Sequence, residues 1–336
     1  MYSSPSIQDT VSNKRIQSVD LVKIIAMVGV VVLHTMTKDF FYYVSVIAIP
    51  LFFMSMGYIQ LGRPKMTIKY CLTKIWHIIK FVAIFTFCSW IIKHLIFAGN
   101  PFDIRALLEY MFSGYLQRGE FGVFWFFSAM IILYALLPFI NILYTKYYRS
   151  FCALTIALLV IMSLVFLEDL FHLNFGWKSE QNIIQPLRLY NWLGYLCLGG
   201  MIKHSGFRSL GKWFYILAGI IIIYFFQLWL IPFIDNPHCE FFYASLPVVA
   251  LCMCVFCFCL NLKIENSKVI SLLSALFIYV YSLHIIVLKY TCILLDKFQL
   301  TSGPYQSFLF IYVLMISIVL SAILHRIPPI RRIFTI

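Results

Sequence analysis

The chain has 336 residues, of which 62% are hydrophobic and only 12% charged, and its formal net charge is +13. A soluble domain of this length needs more polar residues for its exterior, so the composition excludes one. It also excludes a basic nucleic-acid-binding protein, because the positive surplus is set among long apolar runs and must be judged by where it lies.

Those runs are about 16 to 24 residues long, enough to cross a hydrocarbon core of roughly 30 Å as helices. The segment Met1 to Gln17 is polar and ends in Lys14 and Arg15, and no small-residue cleavage site follows it. The first apolar run is therefore expected to stay as a membrane helix. The predicted spans are Asp20–Thr35, Phe41–Leu61, His77–Phe97, Val123–Tyr144, Phe151–Leu167, Leu187–Ile202, Trp213–Ile234, Phe241–Leu262, Ser271–Leu295 and Gln306–His325. The sixth is short and holds Gly194, Gly199 and Gly200, which favour close helix approach. The predicted fold is all-α, a polytopic membrane bundle of about ten helices. It forms a single domain, with residues 1–17 as an N-terminal segment and 328–336 as a tail.

Charge sets the expected orientation. One alternating set of connections holds Lys14, Arg15, Arg63, Lys65, Lys69, Lys74, Lys146, Arg149, Lys203, Arg208, Lys212, Lys263, Lys268, Arg326, Arg331 and Arg332. Its acidic residues are Asp9 and Glu265. The opposite set holds Asp39, Asp103, Glu109, Glu120, Glu168, Asp169, Glu180, Asp235, Glu240 and Asp296. Under the positive-inside rule both termini are expected in the cytoplasm.

The first span carries Asp20, Lys23 and His34. Ionisable residues inside a membrane helix invite a functional reading. Eleven residues at 100° each place Lys23 and His34 about 20° apart on one face, separated by ~16 Å along the axis. Asp20, one turn before Lys23, is placed to pair with it. Two readings stand at this point. The three residues line a reaction path, or Asp20 and Lys23 form an interfacial ion pair with a snorkelling lysine while His34 lies near the far surface.

The run Cys252, Cys254, Cys257 and Cys259 falls on two faces of a straight helix, so its thiolates do not converge on a tetrahedral metal. No metal site is expected. The remaining cysteines of the ten sit almost all in apolar runs, which does not describe a disulfide framework. The clusters Glu168-Asp169 to His172 and Asp235 to Glu240 read as solvated loops that could face a polar acceptor.

Arg15-Ile-Gln-Ser-Val-Asp20-Leu-Val-Lys23 with His34 resembles the opening signature of membrane acyltransferase family 3, in which a basic residue precedes a His by eleven positions. Pro50-Leu-Phe-Phe-Met-Ser-Met-Gly57-Tyr, Phe124-Trp125-Phe126-Phe127 with Tyr134 and Pro138, and Ile278-Tyr279-Val-Tyr281-Ser-Leu-His284 resemble later motifs of the family in the same order. The resemblance covers nearly the whole chain. It departs at Lys23, where the family usually has Arg, and at the third helix, where Lys69, Lys74 and His77 stand in a stretch that the family makes rich in Arg.

The resemblance implies a membrane-bound O-acyltransferase of the bacterial inner membrane. It would move a small acyl group, such as acetyl from acetyl-CoA, to a hydroxyl of a cell-surface or lipid-linked glycan, with acyl-CoA as co-substrate. His34 would be general base or nucleophile, with Lys23 beside the donor. Lys74, His77, Lys69 and Arg63 would hold the donor's phosphates, or serve only as topology signals against anionic lipid. Asp20, Trp125, Tyr281 and His284 would line the substrate. The alternative is a transporter or flippase of a lipid-linked glycan that uses the same polar face without covalent chemistry. A non-catalytic membrane scaffold is the third reading. Expected partners are the glycan acceptor and the bilayer, and no nucleic acid.

Overall fold

The computed structural model describes residues 16–36, 39–64, 66–96, 103–172, 182–205, 210–234, 238–297, 305–328 and 330–331. Asp9, Lys14, Arg15, Lys65, Glu180, Arg208, Asp235 and Arg332 lie outside them, as do most of the expected N-terminal segment and tail. The described residues form helices and turns, with no strand among them.

The helices are α1 (Gln17–Thr35), α2 (Phe40–Val44), α3 (Ala48–Gln60), α4 (Ile68–Ile96), α5 (Ile104–Phe112), α6 (Trp125–Lys146), α7 (Tyr148–Phe171) and α8 (Leu189–Ser205). There follow α9 (Gly211–Phe225), α10 (Leu246–Asn261), α11 (Lys268–Ala275), α12 (Phe277–Lys297) and α13 (Tyr305–Arg326). Short 3-10, π-helical and α-helical turns link some of them.

Among the described residues eight segments are long and apolar enough to cross a membrane. Leu246–Asn261 is apolar but shorter, and α8 has 17 residues. The chain is an all-α, multi-pass membrane protein, and each of the ten predicted spans falls on a helix. Large apolar side chains such as Leu95, Trp213, Leu217 and Ile220 face outward. That suits a hydrocarbon solvent and would be costly in water.

Three expected spans are corrected. The third span does not start at His77. Helix α4 begins at Ile68, because Lys69, Lys74 and His77 are good enough helix formers to continue it past the apolar run. The ninth span is two helices, α11 and α12, meeting at Leu276, whose backbone N–H bonds back to the end of α11. The second span is also divided. Asp39 caps α2 by accepting from Tyr42 N at 2.9 Å, and the turn Ser45–Ile47 leads into α3. Pro50 sits in the first turn of α3, where a missing N–H is tolerated.

Helix α1 is central and packs on α3, α10, α11, α12 and α13. Helices α3 and α8 cross at backbone contact. A Cβ on Gly57 would stand 1.8 Å from the Leu196 carbonyl oxygen, and one on Gly199 2.0 Å from that of Met54. Only glycine permits this approach, which sets the end of α3 against the bundle. That end is then pinned. Gly62, at φ +76°, donates its N–H to Asn141 Oδ1 at 2.7 Å, and Lys203 Nζ donates to the Leu61 carbonyl at 2.6 Å.

Candidate active site

Two cavities enter the bundle from opposite ends. The first, about 390 Å³, opens at the end where α1 begins and α3 finishes. Its walls include Lys23, Gln60, Arg63, Tyr70, Lys74, Tyr134, Ser274, Tyr279 and His325. Three basic side chains, Lys23, Arg63 and Lys74, on one cavity wall make it a basic vestibule. Gln60 Oε1 accepts from Arg63 Nη1 and from the Tyr70 hydroxyl, both at 3.2 Å. Arg63 Nη1 also donates to the Tyr70 hydroxyl oxygen at 3.0 Å. The Lys74 ammonium lies 5.7 Å from the Tyr70 ring centroid, a cation–π contact. Arg63 and Lys74 are thus held by neutral partners, which leaves their charge for an incoming anion.

Asp20 lies behind this wall, not on it. Its side chain is buried, Ser274 Oγ donates to its Oδ1 at 2.7 Å, and Lys23 Nζ is 3.8 Å from the same oxygen. Asp20 therefore orients Lys23 rather than meeting a ligand in the vestibule. Lys69 is exposed and His77 half-buried, and neither lines either cavity. On α4, Tyr70 and Lys74 are four apart and share a face, while Lys69 is rotated about 140° from Lys74.

The second cavity, about 220 Å³, opens at the other end of α1. His34, Tyr42, Trp125, His238, Glu240, Tyr243 and Tyr281 line it. Trp125 stacks on buried Trp192, with centroids 5.1 Å apart and planes at 30°. Trp192 is fixed by donating Nε1–H to the Gln185 carbonyl at 2.6 Å. The Tyr243 carbonyl accepts from the Tyr195 hydroxyl at 2.7 Å. Tyr281 donates its hydroxyl to the Val123 carbonyl at 2.5 Å, tying α12 to the start of α6. The mouth is amphipathic, with flat aromatic faces beside a carboxylate and two imidazoles.

His34 faces this cavity, and His284 lies behind it, with ring centroids 5.2 Å apart. His284 is fully buried. Its Nδ1 is 3.2 Å from the Val280 carbonyl, and its Nε2 has no hydrogen-bond partner. A buried polar atom without a partner is uncommon and asks for a reason.

The structure brings Lys23, Arg63 and Lys74 to one cavity and His34, Trp125 and Tyr281 to the other, with His284 beside His34. Sequence reading missed Gln60, Tyr70 and His325, which looked like ordinary residues of spans or their ends, and it named Tyr134 and Tyr279 as motif residues without placing them on a cavity. It read the segment of His238 and Glu240 as a solvated loop that could face a polar acceptor, and folding sets both on the His34 cavity. Their only early signal was a His and a Glu close together on the acidic side of the chain.

A family model described as an acyltransferase domain matches residues 16–326. No curated protein and no solved structure matches the chain.

Proposed function

The chain belongs to acyltransferase family 3, and from that premise we propose that it transfers a small acyl group from acyl-CoA, with acetyl-CoA as first choice, to a hydroxyl of a glycan or lipid-linked sugar. The observation that carries this reading is the placement of Lys23 and His34. They share one face of α1, yet one lines the basic vestibule and the other the opposite cavity.

The donor's phosphates sit against Arg63, Lys74 and Lys23, where a positive cavity with no carboxylate on its wall attracts a polyanion. The thioester extends toward His34, about 16 Å along the helix. The acceptor enters from the other side. Trp125 and Tyr243 offer apolar faces to a sugar ring, and Glu240 and His238 offer hydrogen bonds to its hydroxyls. His34 takes the proton from the attacking hydroxyl, whose oxygen bonds to the thioester carbonyl carbon. The C–S bond then breaks, the acyl group stays on the acceptor as an ester, and the coenzyme A thiolate leaves with the proton. Under the positive-inside rule the vestibule faces the cytoplasm, where the charged donor is made, and the likeness to the family favours the cytoplasmic membrane of a bacterium.

The test uses purified protein reconstituted with radiolabelled acetyl-CoA and a lipid extract from its own cells, beside a folded H34A protein. Label in the glycolipid fraction with the parent, reduced at least ~100-fold in H34A, is the expected result. Full transfer by H34A removes His34 from the mechanism. No label with any short acyl-CoA, together with movement of unmodified glycolipid between leaflets, turns the reading toward transport.

A further inference from the structure

The two cavities stop short of each other. Phe52 and Phe277 form the floor of the basic vestibule, while Tyr281, one turn beyond Phe277, lines the His34 cavity. The partition is therefore about 6 Å thick along α12. Four rings close it. Phe52 stacks on Phe277 at 4.5 Å with planes at 13°, Phe52 meets Phe126 at 4.7 Å, and Phe126 meets Tyr281 at 4.8 Å. Phe277 stacks on Tyr281 at 6.1 Å.

The four rings are not equivalent. Phe126 is fully buried, and Tyr281 is tied by its hydroxyl to Val123. These two are fixed. Phe52 and Phe277 each have a side against the open vestibule, so free volume lies next to them. Side chains rotate into free volume and not into close-packed surroundings.

The geometry points to a gate. The Phe52–Phe277 stack closes the passage between the vestibule and the His34 cavity, opens by rotation into the vestibule, and limits the size of the acyl group that passes. This rests on the acyl-transfer reading, because only a donor bound on one side and a base on the other require a passage. It adds the residues that select the acyl group: a short acyl thioester needs a small parting of the rings, and a longer or branched one a larger parting.

The experiment compares the parent with F52A/F277A, and with F52L/F277L as the milder pair should the alanine protein elute as aggregate. Each is reconstituted, and acetyl-CoA and hexanoyl-CoA are supplied separately with the acceptor extract. The ratio of hexanoyl to acetyl transfer is expected to rise about tenfold or more, since each methylene in an apolar pocket is worth roughly that in discrimination. An unchanged ratio in a monodisperse protein overturns the gate. A parent that transfers no acyl group sinks the acyl-transfer reading, and a second measurement then decides the partition. Vesicles loaded with a pH-sensitive dye are given a proton gradient. A severalfold faster collapse with F52A/F277A keeps the stack as the seal between the cavities, and an equal rate removes it.

Discussion

The partner of His284 Nδ1, the Val280 carbonyl oxygen at 3.2 Å, is only an acceptor, so that nitrogen carries the ring proton and donates it. Nε2 is then a buried lone pair beside His34, whose ring centroid is 5.2 Å away. A small rotation of the His34 ring would bring its N–H to this lone pair and leave its other nitrogen free for the acceptor hydroxyl. Orientation of a catalytic imidazole by a fixed neighbour is a general device, and losing the neighbour changes turnover more than binding. Gln at position 284 places an amide where Nε2 lies, whereas Asn reaches only to Nδ1. H284Q is therefore expected to keep most of kcat and H284N to lose about 10- to 100-fold, with KM for either substrate little changed. Equal kcat in both variants and the parent would make His284 a packing residue. At this scale the sequence was informative where two polar residues share one helix, as with Lys23 and His34. It gave no role to the tyrosines of the vestibule, because a Tyr in an apolar run looks the same whether it packs or lines a cavity.

Glu120 joins three elements, and its behaviour belongs to them jointly. It lies just before α6, accepts from Lys93 of α4 and from Lys289 of α12, the latter at 2.9 Å, and receives the Tyr110 hydroxyl of α5 at 3.3 Å. Burial pushes its carboxyl up, but the bonds and charges of Lys93 and Lys289 outweigh that, so its pKa falls below the ordinary value. The same carboxylate, with burial the larger effect, pushes the Tyr110 hydroxyl up. A carboxylate with a lowered folded-state pKa contributes stability above its unfolded pKa and loses it as pH falls through the folded value. The thermal midpoint in detergent should thus be higher for the parent than for E120Q at neutral pH. The gap should begin to shrink as pH falls past about 4, the ordinary Glu value, and vanish below the lower folded value. Glu120 is about one-third exposed, so solvent screening holds the contribution to about 1 kcal/mol or less. A gap constant with pH would show that the carboxylate charge is not what links the three elements. No sequence pattern joins residues 93, 120 and 289. Hydropathy locates the spans because lipid demands apolar length, but it carries no information on which helix ends meet. It also missed the start of α4 and the joint at Leu276 for one reason, since both are decided by backbone hydrogen bonds and not by how apolar the residues are.

Across the whole molecule the two cavities make the protein asymmetric in a way that a soluble enzyme is not. Cations line one, imidazoles, a carboxylate and aromatic faces line the other, and a single turn of packed rings divides them. The charge count along the sequence already separated the two ends. The packing of α1 on both α3 and α12 was not legible in the sequence, nor was the glycine crossing that sets α3 against α8. Function should inherit the asymmetry. In sealed vesicles the orientation is read by an impermeant maleimide on K69C, exposed at the basic end, or R118C, exposed at the other, each above the parent's background. Acyl-CoA supplied to the Lys69 side alone should yield acylated acceptor. The same donor supplied to the Arg118 side alone should yield at least ~10-fold less, because the cavity at that end carries a carboxylate and no permanent cation on its wall, which repels the donor's phosphates. Permeabilising the vesicles should abolish the difference. Equal rates from both sides of intact vesicles would mean that the donor does not enter through the basic vestibule, and the roles given to Lys23, Arg63 and Lys74 would fall with it.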